Sequence, residues 1–201
     1  MGISLVTPAT EEPVTREQVK DHLRIHRDVT GQDLYLDQLT VAARGWVELY
    51  LRKQLLPATW RLTLDRSPSR WRDGSYCWSA EIWIPRPPLI EITSVRYRDS
   101  QNDWQTLDAE AYEVSTDYEP GKIYPVPGTV WPTTAIGPAS FEVVFKSGYR
   151  DRSKVPQMIC VGILEIVRML FDGVDVQKAG KGVCHLLYPF RCLDERVMSN
   201  A

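Results

Sequence analysis

Several common signatures are absent from this sequence, and each absence removes a class of function. No apolar run reaches the ~20 residues that a membrane-spanning helix needs. The longest, MICVGILEIVRMLF (158–171), is interrupted by Glu165 and Arg168, so no membrane partner is expected. The opening residues, MGISLVTPATEEP, carry neither the basic nor the apolar segment of a secretory leader. Val6 stands where N-myristoylation asks for Ser or Thr. Cysteine is scarce: Cys77, Cys160, Cys184 and Cys192 fit neither a zinc pattern nor C-x-x-C. They read as reduced thiols, with Cys160 a small core residue of an apolar helix. No glycine-rich phosphate loop and no G-x-S-x-G elbow occur. Positive charge is not in surplus: 24 Lys and Arg face 26 Asp and Glu, a net −2. A dedicated nucleic-acid binder is normally basic overall.

What remains is an ordinary globular composition, 201 residues with 43% hydrophobic and 25% charged, enough for one large domain or two small ones. Residues 14–25 predict a first helix. Thr15 is its N-cap, Gln18 completes a capping box, and Val14 and Val19 form a hydrophobic staple. The same grammar predicts a second helix from Thr30 to about residue 53, with Asp33 three positions after the cap and Val29 and Leu34 as staple. Leu39, Ala42, Trp46 and Leu49 then follow at helical spacing.

A strand-rich block covers about 59–147. TWRLTLD alternates, with Trp60, Leu62 and Leu64 on one face. Residues 66–79 are a turn-rich excursion. EIWIP (81–85) and LIEITSVRY (89–97) are strands, and a parity slip at Thr93–Ser94 predicts a β-bulge. Residues 99–104 read as a hairpin turn, 112–116 and 121–126 as short edge strands, and 127–132 as a loop. ASFEVVFKSGY places Phe141, Val143 and Phe145 on one face. A third helix spans 156–172, opened by Pro156 and closed by Gly173. It is apolar nearly all round, with a thin polar stripe of Glu165, Arg168 and Asp172, so it is central to a bundle or covered by a neighbouring subunit. The tail, 174–201, holds a compact apolar patch, LLYPF, too short for its own core. It docks on a partner or folds back on its own bundle. The order predicts an α+β fold: a three-helix core, a β-rich domain inserted between helices 2 and 3, and an extended C-terminal arm. The segments are 1–56, 57–150, 151–173 and 174–201.

Chemistry is sparse. His22 and His26 lie four apart, but the H-E-x-x-H glutamate is missing. Cys184–His185 is adjacent in sequence, which is not how a catalytic pair is built, and Asp33 and Asp37 fit a solvated helix face. No catalytic residue, metal or cofactor is assigned. One stretch leans toward nucleic acid: residues 60–98 hold four tryptophans and seven arginines against four acids, the mixture used for stacking and phosphate contact. Trp60 and Trp83 suit strand-core positions. Trp71, Arg72, Trp78 and Arg86 are left as possible partner or DNA contacts. The PRPP segment (85–88) contains P-x-x-P, the pattern of an SH3 ligand, but fits better as a stiff corner between strands.

An ordered set of motifs runs along almost the whole chain: V-T-x-E-x-V-K-x-H-L-R-I (14–25), L-x-x-L-x-V-A-A-R-x-x-V-E-x-Y (36–50), W-R-L-x-L-D (60–65), I-P-R-P-P-L-x-x-I-x-S-V-x-Y-x-D (84–99), P-G-x-x-W-P (127–132), F-x-x-G-Y (145–149), V-P (155–156) and L-L-Y-P-F-R (186–191). In this it resembles the head–tail connector, or head-completion adaptor, proteins of long-tailed bacteriophages and of phage-derived gene transfer particles. The excursion at 66–79 departs from that pattern. The resemblance implies a structural protein, not an enzyme: a ring subunit, commonly in twelve copies, docked under the portal in the virion neck after assembly in the host cytoplasm. Such a ring extends the channel for double-stranded DNA and offers a platform to the next neck protein, a stopper or tail terminator. It further implies a portal-docking arm, here Leu186, Leu187, Tyr188, Pro189, Phe190 and Arg191, and lateral packing of subunits, here through Glu165, Arg168 and Asp172.

Overall fold

The computed structural model describes residues 1–68, 71–72, 75–76, 81–135, 137–176 and 180–192, with backbone alone for 71–72 and 75–76. The fold is α+β. Two compact units share the chain, and each is discontinuous: residues 9–57 with 149–192 are helical, and residues 1–8 with 58–148 are β-rich.

In the helical unit, α1 (Arg16–Leu23) begins as its sequence predicts. The Gln18 amide donates to the Thr15 hydroxyl at 3.2 Å, and the Thr15 amide donates to Oε1 of Gln18 at 2.8 Å. Val14 and Val19, the staple pair, are both buried in the same core. The second helix, α2 (Asp33–Leu51), starts later than its sequence suggests. Its N-cap is Gln32, with no side-chain cap bond, and Val29 and Leu34 lie exposed rather than stapled. The reason lies in α1: Lys20 and Arg16 take the Asp33 carboxylate, so it cannot close a capping box. Nineteen residues make α2 about 28 Å long.

The third helix, α3 (Gln157–Phe171), follows Pro156 as N-cap. It ends in a Schellman motif, with Gly173 at φ +67° and bonds Val174 N–H to Met169 C=O (2.8 Å) and Gly173 N–H to Leu170 C=O (3.3 Å). Ile159, Ile163, Ile166 and Val167 fill the core against Ala43, Val47 and Leu51 of α2. The thiol of Cys160 is buried there too, and burial pushes its pKa up.

The β unit contains a strand that the sequence did not announce, β1 (Gly2–Thr7), antiparallel to β2 (Ala58–Leu64). Next come the short pair β3 (Trp71–Arg72) and β4 (Ser75–Tyr76), then β5 (Ile82–Trp83), β6 (Leu89–Arg98) and β7 (Trp104–Leu107). After them come β8 (Tyr112–Ser115), β9 (Lys122–Pro125) and β10 (Phe141–Ser147). A five-stranded antiparallel sheet has the order β1-β2-β10-β6-β7, and a three-stranded sheet the order β5-β9-β8. Phe141, Val143 and Phe145 from the first sheet meet Ile82 and Ile123 from the second. The slip predicted at Thr93–Ser94 is present: Val144 pairs with Ser94 while Phe145 pairs with Ile92. A second shift follows at Lys146/Ser147, and it puts Leu89 rather than Ile90 in the core. The 127–132 loop is anchored by Trp131, which is buried edge-on to Phe141 at 5.5 Å.

The PRPP corner is folded in. Pro85 and Pro87 are buried, and the Pro88 carbonyl accepts from Gly148 N–H at 2.8 Å. A peptide ligand needs exposed prolines, so the SH3-ligand reading is excluded. Gly121 lets this corner close, because a Cβ there would stand 2.8 Å from Leu89.

Candidate functional site

Three surfaces were singled out by the sequence, and the structure treats them differently. The C-terminal segment is not an extended arm in its described part. Residues Lys181–Leu187 form α4, and Tyr188–Phe190 continue as a turn of 3-10 helix. The physical cause is a knob and a socket. Leu187 is fully buried, and Gly162 of α3 leaves its room: a Cβ at 162 would lie 2.9 Å from Leu187 Cδ2. Three further contacts fasten the segment to the end of α2. The Tyr50 hydroxyl donates to the Cys184 carbonyl at 2.9 Å, Cys192 N–H donates to the Leu51 carbonyl at 2.9 Å, and the Arg191 guanidinium stands 5.3 Å over the Tyr50 ring. Burial raises the Tyr50 pKa. Of the six residues LLYPFR, Leu187 is core, Leu186, Phe190 and Arg191 are half-buried, and Tyr188 and Pro189 face outward. Folding back on the bundle, the alternative left open by the sequence, describes residues 180–192. Residues 193–201 lie outside the described part.

Glu165, Arg168 and Asp172 do share the outward face of α3, where Met158 and Val161 are also exposed. Glu165 is engaged within the subunit: Arg168 approaches it at 3.0 Å, and His22 Nε2 lies 3.6 Å away. His26 is beyond the end of α1 and pairs with Asp28 at 3.3 Å, so the two histidines do not form a helical pair. Among the described residues no group of three His, Cys, Asp or Glu is placed to hold a metal ion.

The aromatic–arginine set of the β unit is largely satisfied internally. Arg86, at φ +62° in the corner, lies 5.0 Å over the Trp60 ring. Arg96 and Arg98 flank Trp104, each at 4.9 Å, and Arg61 and Arg96 converge on Glu142 at 3.2 and 3.7 Å. Trp60 and Trp83 are half-buried rather than fully in the core. Trp71 and Arg72 sit on β3, in register with Tyr76 and Ser75. Trp78 lies outside the described residues.

Two features escaped the sequence reading. One is a partly buried ion network that ties Glu12 to α2 and to the turn that follows it. Arg44 Nε donates to Glu12 at 2.7 Å and its Nη1 to Glu48 at 3.0 Å, while Glu48 also accepts from Gln54 (2.8 Å) and from Leu55 N–H (3.0 Å). Although burial opposes the charge on Arg44, the Glu12 and Glu48 carboxylates outweigh it and raise its pKa. The other is the outward face of α2. Its periodicity was legible, but its exposure depends on which faces the other helices cover.

No family model matches the sequence, and no curated protein does. Solved structures share the fold. The chain aligns with a protein in the neck of an empty gene transfer agent (GTA) particle computed with C6 symmetry, at TM-score 0.77 and 20% identity, covering 96% of this chain and 97% of that one. A chain of the virion of a native GTA particle aligns at TM-score 0.75 and 20% identity, with the same coverage. A chain of the neck of a native GTA particle computed with C12 symmetry aligns at 0.73 and 19%, again over 96% and 97%. These particles are phage-like. The fold is therefore that of a neck protein of such a particle, matched over nearly the full length of both chains.

Proposed function

We propose that this chain is a structural subunit of the neck of a tailed phage or phage-like particle, a head–tail adaptor rather than an enzyme. Twelve copies form a ring under the portal, line the path of double-stranded DNA and present a platform to the next neck protein. The observation that carries this reading is the whole-chain fold likeness to neck chains of GTA particles, at TM-scores of 0.73–0.77. The ordered motifs, from the first helix to LLYPFR, point the same way from sequence. In this reading Tyr188 and Pro189, the outward part of the C-terminal segment, belong to the portal-facing contact. Glu165, Arg168 and Asp172 belong to the flank of the subunit.

The test is removal of the gene from the producing cell, followed by electron cryo-microscopy of the particles. The expected result is DNA-filled heads that lack this ring and carry no tails. Normally tailed, DNA-delivering particles without the chain would overturn the proposal.

A further inference from the structure

We infer that the outward face of α2 is the surface by which one copy of this chain packs against the next; this rests on the ring reading above. Leu34, Gln38, Val41, Ala42, Gly45 and Leu49 recur at helical spacing and all face solvent. Leu34 and Leu49, at 74% and 70% exposure, are the most exposed large hydrophobic side chains among the described residues. The stripe holds no charge. A surface helix normally turns charged residues outward and apolar ones inward. In α2 the charged residues are drawn to another side: Asp33 and Asp37 to Arg16, and Arg44 and Glu48 to the network with Glu12 and Gln54. The outward face of α3, by contrast, carries Glu165, Arg168 and Asp172.

Gly45 adds an independent argument. Glycine inside a helix is unfavourable relative to alanine, so its presence needs a reason. The described residues supply none, since among them a Cβ on Gly45 would meet nothing within 4 Å. With Ala42 beside it, Gly45 makes a notch in which a backbone from outside can approach closely. The stripe also borders a mostly apolar groove of about 420 Å³, lined by Trp46, Leu170 and Val174, with one acidic residue, Asp175, at its wall.

The occupant is a second copy. An uncharged face whose one polar group is an amide asks for an equally uncharged partner, not for a polyanion such as DNA. The structures that share this fold end to end include necks with six- and twelve-fold symmetry. In such rings every subunit meets another copy on both flanks, through two different surfaces. The α2 face supplies one of the two.

The experiment uses the full-length chain and measures its assembly by native mass spectrometry, alone and with the portal protein. Leu49→Glu and Gly45→Arg are compared with wild type and with Gln101→Glu, which adds a charge in the exposed hairpin of the β unit. Gly45→Arg guards against simple unfolding, because its side chain enters open space and replaces a poor helix former. The expected result is rings for wild type and Gln101→Glu, and at least tenfold weaker assembly for both α2 variants, with thermal melting by circular dichroism no lower for Gly45→Arg. Rings from both α2 variants would overturn the α2 face and leave the ring reading standing. Loss of portal binding with rings intact would assign the face to another protein and overturn the inference. A wild-type chain that stays monomeric with and without the portal would overturn both.

Discussion

Lys20 shows how one residue decides where a helix begins. The residue is 3% exposed, and its ammonium donates to the carbonyls of Arg27 and Val29 at 3.1 and 2.8 Å and meets the Asp33 carboxylate. A buried ammonium is costly unless it is paired, so Asp33 is held where it serves Lys20 rather than the start of α2. The hydrogen bond from Lys20, and behind it Arg16, holds the Asp33 carboxyl below the ordinary carboxylate range. A carboxylate whose pKa is depressed by folding contributes stability above its ordinary range, and that contribution fades as pH falls through the depressed value. Asp33→Asn should therefore lower the melting temperature at pH 6–7. The gap from wild type should narrow as pH falls below about 4; a pH series of thermal melts checks this. Thr15 was legible from sequence and Thr30 misleading for one reason. A capping box is settled within four residues, and the pull of Lys20 on Asp33 spans thirteen.

At the scale of elements, α4 is held by one side chain more than by its own length. Seven residues do not sustain an isolated helix, so its stability comes from its contacts with the bundle, chief among them Leu187 seated against Gly162. Leu187→Ala leaves a cavity and should cost about 2–5 kcal/mol, read as a shift of the urea midpoint. Amide exchange in 181–190 should rise with it. Retention of wild-type exchange would show that Leu187 does not seat the segment. In the sequence LLYPF was visibly a patch in need of a partner. Which partner was not visible, because the socket is a missing side chain at position 162. The bulge at Thr93–Ser94 was readable, since a slip in a two-residue period is local. Trp131 was not, since nothing in PGTVWP says which core its indole enters.

For the whole molecule, the chain passes between its two units after residues 8, 57 and 148. The insertion of strands between α2 and α3 was legible from the order of periodicities alone. The membership of GISLVT in the sheet was not, because its partners lie some sixty residues away at Thr59–Thr63. β1 covers the edge of β2, and open edges recruit foreign strands. Deleting residues 1–7 should therefore leave β2 uncovered and raise aggregation, measured by light scattering during refolding; unchanged scattering would show that β2 needs no cover. The same sheet has a temporal side. Its central strand, β10, is the last of its five in the chain. At ~5–20 residues per second a ribosome takes roughly 4–15 s to travel from Leu64 to Phe141. Through that interval β2 is already made, and once Arg98 is passed so is β6, while the strand that joins them is not. The nascent sheet therefore stays in two halves, β1 with β2 and β6 with β7, until β10 arrives to join them.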